Sequence, residues 1–550
     1  MLPNSPPAVA GQVRLKPDTT TDYDQSQLGS KSARLTFIVL ATALLPIMIG
    51  ASLDFGATWD ERDRHRYGEL VLEFFKGLRS RSAFTEEVGG LYGGLFDTLC
   101  AALEQWVPIN RYVLRHIVTA GFGWAGVVYC GRLAARLFGT WSGVLAMVLL
   151  AASPRYFADA MNNPKDLPFA AATVASLYYI ATVSSTWPYL SRGTAIKIAL
   201  ALAVALNIRA GALIYLGYLG LLVLAFTFAE RTSDLRRLAD SAGRLLGVTV
   251  ATLVLGTLVW PWAQAAPLTR PIEALLFFSN YPWTGTHVLF NGRDYSPAEL
   301  PWQYVPWWFL ISTPPVVLVG AALACVSRDR AVTLRRLALW TTVLLPIVLV
   351  VARHSTLYNG VRQLLFVYPV LVALAASGWA VWLSARTVPL ARWIAATVLV
   401  AGLVNIAAFD VRNHPNETVY FNGLVGGPRG AFTKYEMDYW GNCMLQAVAW
   451  SAETARRAGV PVAVSGDISL VSELVQTNAE RFHELYVTRP AEGRHALQIQ
   501  LVRGTVEDFR QMATRDDALH RVQTADGTVL CVVLPGPRFA ELERKLSSGK

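Results

Sequence analysis

Long apolar runs recur through this chain and fix what it can become. They fall near residues 35–53, 113–135, 140–157, 166–184, 194–208, 210–229, 245–263, 305–326, 334–352, 361–383 and 391–409. In hydrocarbon no water satisfies a peptide N–H or C=O, so such runs cross only as helices or as strands of a closed barrel. Their lengths suit helices, which need roughly 20 residues per crossing. The expected fold is therefore a mainly α, polytopic membrane bundle of about 11 spans. The count is open by one or two, because 194–229 can be divided in more than one way.

Composition agrees: 53% of the 550 residues are hydrophobic and 16% charged, with a mean hydropathy of +0.35, which excludes an ordinary soluble protein. The net charge of +10 would suit a nucleic-acid binder, but its placement argues otherwise. With a cytoplasmic N-terminus, the inside loops carry Arg132 and Arg136; Arg192 and Lys197; Arg231, Arg236, Arg237 and Arg244; Arg328, Arg330, Arg335 and Arg336; Arg386 and Arg392. Basic residues sorted to one side are a topology signal, and no nucleic-acid partner is expected. The lipid bilayer is the partner this pattern implies.

The same orientation puts two long charged and aromatic segments, 54–112 and 264–304, on the extracytoplasmic side, together with everything after about residue 410. Residues 1–34, polar and rich in Pro, Ser and Thr, read as a disordered cytoplasmic tail with no cleavable signal peptide. Residues 35–409 form the transmembrane domain. Residues 410–550, with stretches such as PVAVSG and LQIQLV and a helix-like segment at 443–458, read as a small extracytoplasmic α/β domain. Cysteines 100, 130, 325, 443 and 531 have no zinc-type spacing. A single Cys443–Cys531 bridge in the tail is left open.

TWDERDRHRYGE, residues 58–69, follows the first apolar run directly. Thr58 and Glu61 have capping-box spacing, and Tyr67, Leu70, Val71, Phe74, Phe75 and Leu78 recur as the apolar face of an interfacial amphipathic helix. Glu61, His65 and Glu69 share a helical face. Ordinary i,i+4 pairing explains them, and a divalent cation (Mg or Mn) is the alternative. Asp60 is less well explained. It follows Trp59 where the chain leaves the bilayer, a place where a carboxylate is costly unless it is used.

Three further segments lie on the same side. In SPRYFADAMNNPKDLPF (153–169), Asn163 before Pro164 opens a helix. Lys165 at that terminus adds a full charge to the positive dipole end, a place that suits a phosphate, while Asp166 caps the helix or binds substrate. In RHSTLYNGVRQLLFVYP (353–369), Arg353 and Arg362 defy the charge bias of an outside loop unless they bind an anion, and Arg362 stands about a turn into its span. His354 and Tyr358 accompany them as substrate-binding candidates. FFSNYPWTGTHVLFNGRDYSPAELPWQYVPWW (277–308) carries His287 among aromatics that stack on sugars or anchor loops at interfaces.

Taken in order, TWDE, SPRYFADAMNNPKD, PWTGTHVLFNG…LPWQYVPWW and HSTLYNGVRQLLF resemble the GT-C glycosyltransferases, specifically glycosyltransferase family 39, which includes protein O-mannosyltransferases and bacterial aminoarabinose transferase-like enzymes. YFNGLVGGPRGAFTKYEMDYWGN in the tail is similar to bacterial members. The resemblance implies a polyprenyl-phosphate-linked sugar as donor, and a protein, lipid or glycan hydroxyl as acceptor. It implies a catalytic acid/base carboxylate at Asp60, with Glu61 adjacent, expected to act as general base in an inverting transfer, and phosphate contacts at Lys165 and Arg362; Arg353 is a further phosphate candidate from its place in the loop. Asn163, Asp166, His287, Tyr358 and His354 complete the substrate-binding candidates. It also implies a multi-pass protein of the bacterial inner membrane. A transporter or flippase of lipid-linked sugars, or an oligosaccharide ligase, is the competing expectation.

Overall fold

The computed structural model describes residues 31–183, 187, 189–230, 235–282, 287–326, 329–384 and 389–548. The tail expected over 1–34 lies outside the described residues except for 31–34, which open the first helix. Arg231, Arg328 and Arg386 of the basic loops lie outside them too.

All eleven apolar runs carry helix. In chain order these are α1 (Lys31–Ser52), α2 (Trp59–Phe75), α3 (Leu95–Glu104), α4 (Arg111–Phe138), α5 (Thr140–Ala151), α6 (Pro154–Asn162), α7 (Asp166–Ile180) and α8 (Arg192–Leu206). They continue with α9 (Leu213–Glu230), α10 (Leu235–Gly256), α11 (Arg270–Ser279), α12 (Tyr304–Ser312), α13 (Pro315–Ala324), α14 (Arg330–Ala352), α15 (Tyr368–Ser384) and α16 (Pro389–Asn413). Among the described residues six helices are long and apolar enough to cross a membrane, or eight if each of two bent pairs counts as one span. The sequence-based count is larger because the apolar stretch Ala210–Ala225 is too short, and α7 and α8 have only 15 residues each. At 1.5 Å per residue that is roughly 22 Å, short of a hydrocarbon core of about 30 Å.

The chain is a multi-pass membrane protein. Leu35, Ile38 and Val39 on α1 and Trp393, Ile394 and Val398 on α16 stand exposed, an apolar surface of the kind that lipid covers. At the centre runs α15, where Ala373, Ala375 and Gly378 let neighbouring helices approach closely. A Cβ on Gly378 would sit 2.0 Å from the Gly320 carbonyl oxygen.

Proline makes both bends. Pro154 turns α6 by 70° from α5, and Pro314–Pro315 breaks α12 from α13 by 113°. The first bend lays α6 across one end of the bundle. Asn162 there donates to the Gly56 carbonyl (3.1 Å) and to Asn442 (2.8 Å).

Beyond α16 the chain forms an α/β region: α17 (Cys443–Ala458), β3 (Val462–Gly466), α18 (Ile468–Thr477), β4 (Leu485–Val487), β5 (Leu497–Leu501), α19 (Val506–Ala513), β6 (His520–Gln523), β7 (Val529–Pro535) and α20 (Phe539–Ser548). A separate hairpin, β1 (Val288–Phe290) and β2 (Arg293–Tyr295), precedes α12. The sheet order is β4-β3-β5-β7-β6, with β3 parallel to β4 and β5, and β7 antiparallel to β5 and β6. Cys443 and Cys531 form a disulfide that ties α17 to β7. The region docks through Glu473, which accepts from Tyr112 (2.8 Å) and pairs with Arg111 (3.2 Å) and Arg62 (3.5 Å).

Beneath α2 lies a buried ionic frame. Asp97 accepts from Arg64 Nε (3.0 Å) and from Arg115 (2.7 Å), and all three side chains are at most 6% exposed. Replacing Asp97 by alanine strands two guanidiniums without a counter-charge. We expect a loss of about 3–5 kcal/mol, read as a fall in the thermal melting temperature of the detergent-purified protein.

Candidate active site

The site forms where α2 starts. Glu61 accepts from the Thr58 backbone N–H (2.8 Å) and meets His116 Nε2 at 3.1 Å. With 0% of its surface exposed, Glu61 fixes the first turn. Asp60 points from the same turn toward two cations. Lys165 Nζ and Arg362 Nη1 each stand 3.0 Å from Asp60 Oδ2. Both converge on one oxygen. Oδ1 has no hydrogen bond from a described residue, and the side chain remains 23% exposed.

Each cation is held by its neighbours. Asn163 Oδ1 accepts from the Lys165 and Asp166 N–H groups (3.3 and 2.9 Å) and so caps α7, which begins at Asp166, two residues later than the Asn-Pro signal suggests. Lys165 Nζ lies 5.1 Å from the Tyr92 ring centre. Arg362 opens the 3₁₀ turn Arg362–Val367 and lies between the Trp440 and Tyr358 rings, at 4.8 and 5.1 Å. Cation–π contact of this kind holds a guanidinium without consuming its N–H donors.

The charges reinforce one another. Burial alone would push the Asp60 carboxyl up, but Lys165 and Arg362 outweigh it and hold the group well below the usual carboxylate range. Burial pulls the Lys165 ammonium down, and Asp60 more than restores it, so the amine keeps its proton.

The structure brings Asp60, Lys165, Arg362 and Tyr358 together, and Asn163 supports them from behind. Asp166 is buried and pairs with Arg209. His65 pairs with Glu69 (3.5 Å) and Glu104 (3.3 Å). Among the described residues no three or more His, Cys, Asp or Glu side chains are grouped to hold a metal ion. Arg353 caps α14 and is exposed, and His354 lines a crevice with Trp302 and Leu357. Neither is linked to Asp60 by a hydrogen bond or ion pair.

His287 lines a small cavity with Glu436, Asp438 and Arg503. Several residues there were not anticipated from sequence. Burial pushes the Glu436 carboxyl up to about 7, and Glu436 accepts from the Gly360 N–H (3.2 Å). Arg503, from the turn after β5, donates to Asn359 (3.3 Å) and lies 6.0 Å from the Trp59 ring centre. Asp159 is buried and accepts from Trp440 Nε1 (2.9 Å) and Asn163 Nδ2 (3.0 Å). The run of Asp and Asn inside FADAMNNPKD is the signal that could have found Asp159.

Fold and site define a class: a polytopic membrane protein with a carboxylate and two cations at one end of its bundle, roofed by an α/β region. No family model matches the chain, and no curated protein matches it. Among solved structures it is similar to ArnT from Cupriavidus metallidurans in the apo state (17% identity, 92% of this chain and 99% of that one, TM-score 0.47). It is also similar to the oligosaccharyltransferase AglB from Archaeoglobus fulgidus in complex with an inhibitory peptide and a dolichol-phosphate (11% identity, 84% and 69%, TM-score 0.47). A third similarity is to the S. cerevisiae protein O-mannosyltransferase Pmt1-Pmt2 complex bound to the sugar donor (14% identity, 49% and 40%, TM-score 0.32).

Proposed function

We propose that this chain is a GT-C-type glycosyltransferase. It moves a hexosyl group from a polyprenyl-phosphate donor to an acceptor hydroxyl on the extracytoplasmic face of the bacterial inner membrane. The observation that carries the reading is the sharing of Asp60 Oδ2 by Lys165 and Arg362, with Oδ1 left over. A sugar on a polyprenyl monophosphate already has a competent leaving group, so the reaction needs charge stabilisation on the phosphate and a base for the incoming hydroxyl. The two cations supply the first and the carboxylate the second.

In the reaction the acceptor O–H gives its proton to Asp60 Oδ1 as its oxygen bonds the anomeric carbon. The bond from that carbon to the phosphate oxygen breaks on the opposite face, and its electron pair stays with the phosphate. One in-line displacement inverts the anomeric centre. A carboxylate clamped by two cations is a poor base, and this favours an order of events. The entering donor phosphate draws Lys165 and Arg362 toward itself and leaves Asp60 more basic as the donor arrives.

The test is direct. Purified protein mixed with polyprenyl-phosphate mannose or glucose and an envelope extract is expected to release free polyprenyl phosphate and label an acceptor. A passive flippase or scaffold releases none, and a ligase acts only on pyrophosphate-linked donors.

A further inference from the structure

The tail motif TKYEMDYWGN is not needed by the chemistry just described, yet Trp440 and its neighbours are buried against the catalytic cluster. Tyr439 is 5% exposed and Trp440 1%. Asp438 accepts from the Gly441 and Cys443 N–H groups (3.0 and 2.9 Å) and locks the turn that follows. The Cys443–Cys531 disulfide then anchors that turn to β7.

This strap borders a chamber, open in part to solvent, that Arg362 itself lines. Its polar lining also includes Arg155, Asp159, Tyr439 and Ser312, and Phe309 and Leu365 are among its apolar residues. Arg155 lies over the Phe421 and Trp308 rings (4.8 and 5.3 Å), donates Nε to the Tyr420 carbonyl (3.0 Å) and interacts with the Tyr439 hydroxyl, while its buried Nη2 makes no hydrogen bond. Asp159 spends Oδ1 on Asn163 and Trp440, and Oδ2 takes no hydrogen bond from a described residue.

We propose that this chamber holds the sugar ring of the donor, and that Tyr439, contributed by the C-terminal region, reads its hydroxyls. The inference rests on the transferase reading. A lone phosphate would want cations without the Asp159 carboxylate, and a lipid chain would want neither. A pyranose wants what is present. Its hydroxyls each need a donor and an acceptor, which an unpartnered guanidinium N–H, a carboxylate oxygen and a phenol supply, and its C–H face needs an apolar wall. Arg362 belongs both to the chamber and to the Asp60 pair, so a ring seated here has its anomeric phosphate beside the two cations. Donor choice is then set partly by a segment more than 270 residues after Lys165 in the chain.

The experiment compares binding of undecaprenyl phosphate and undecaprenyl-phosphate mannose or glucose to wild type, Tyr439→Phe and Arg155→Lys in detergent, with melting temperature as the check on folding. Loss of one or two hydrogen bonds to sugar corresponds to a roughly 3- to 30-fold weakening for the sugar-bearing lipid, with the bare phosphate lipid unchanged. Equal weakening for both lipids, or no weakening for either, overturns the chamber assignment and leaves the transferase reading standing. A folded wild type that binds neither lipid overturns both. Should Tyr439→Phe melt early, Arg155→Lys decides by the same pair of lipids.

Discussion

Asp60→Asn retains its fold and loses sugar transfer by about 10²- to 10⁴-fold, the range of a positioned general base. The substitution keeps the volume and one acceptor oxygen, so Lys165 and Arg362 still have something to approach. It removes the charge that lets Oδ1 take a proton. Stability should change less than on loss of Asp97, because the carboxylate is 23% exposed and the asparagine oxygen still meets Lys165 and Arg362. The contrast with Asp97, itself only 3% exposed, is the internal control: on the proposed reading one carboxylate serves the reaction and the other the frame. Single-turnover release of polyprenyl phosphate, measured beside the thermal melt of the same preparation, separates the two roles. Transfer by Asp60→Asn within threefold of wild type would remove Asp60 from the chemistry.

How much of this site was legible in the sequence follows from how each residue signals itself. Asp60, Lys165 and Arg362 are charges at the ends of apolar runs, where the cost of burial makes an ionisable side chain conspicuous. Thr58 and Glu61 announce a helix start by spacing alone, and Glu61 does what the spacing implies by accepting from the Thr58 N–H. What spacing leaves open is direction. Glu61 and Asp60 are adjacent, yet one carboxylate turns inward to His116 and the other toward the cations. His354 and Arg353 share a loop with Tyr358, but only Tyr358 faces Arg362, because the chain reverses through Asn359 and Gly360 with φ of 57° and 69°. Tyr439 and Trp440 were the least legible. Their place depends on how the α/β region docks, which rests on single long-range contacts such as Glu473 with Tyr112. No local period encodes those.

Bare polyprenyl phosphate supplies the second large effect, because variants of one cluster should move its affinity in opposite directions. On the proposed reading, Asp60 and the donor phosphate compete for the same Lys165 and Arg362 N–H donors. Arg362→Ala removes a charge-assisted partner of the phosphate that neighbouring aromatic rings hold in place. Affinity should fall by about 10- to 100-fold, and transfer by about 10²- to 10³-fold as the departing phosphate loses its stabilisation. Lys165→Ala should follow with a smaller loss, since an ammonium is a single point of contact where a guanidinium presents a fork. Asp60→Asn should do the reverse and bind the lipid phosphate several-fold tighter, because each cation is freed from a pair worth up to about 1 kcal/mol at a partly exposed site. A merely structural carboxylate gives a different result, since its loss would loosen the cations and weaken binding alongside Arg362→Ala. Titrating undecaprenyl phosphate into the three variants at fixed ionic strength distinguishes these outcomes by sign. Weaker binding by Asp60→Asn would mean that the carboxylate orients the cations and does not compete with the donor. The order of events in which the arriving phosphate frees the base would then have to be abandoned, even if Asp60 proved essential for turnover.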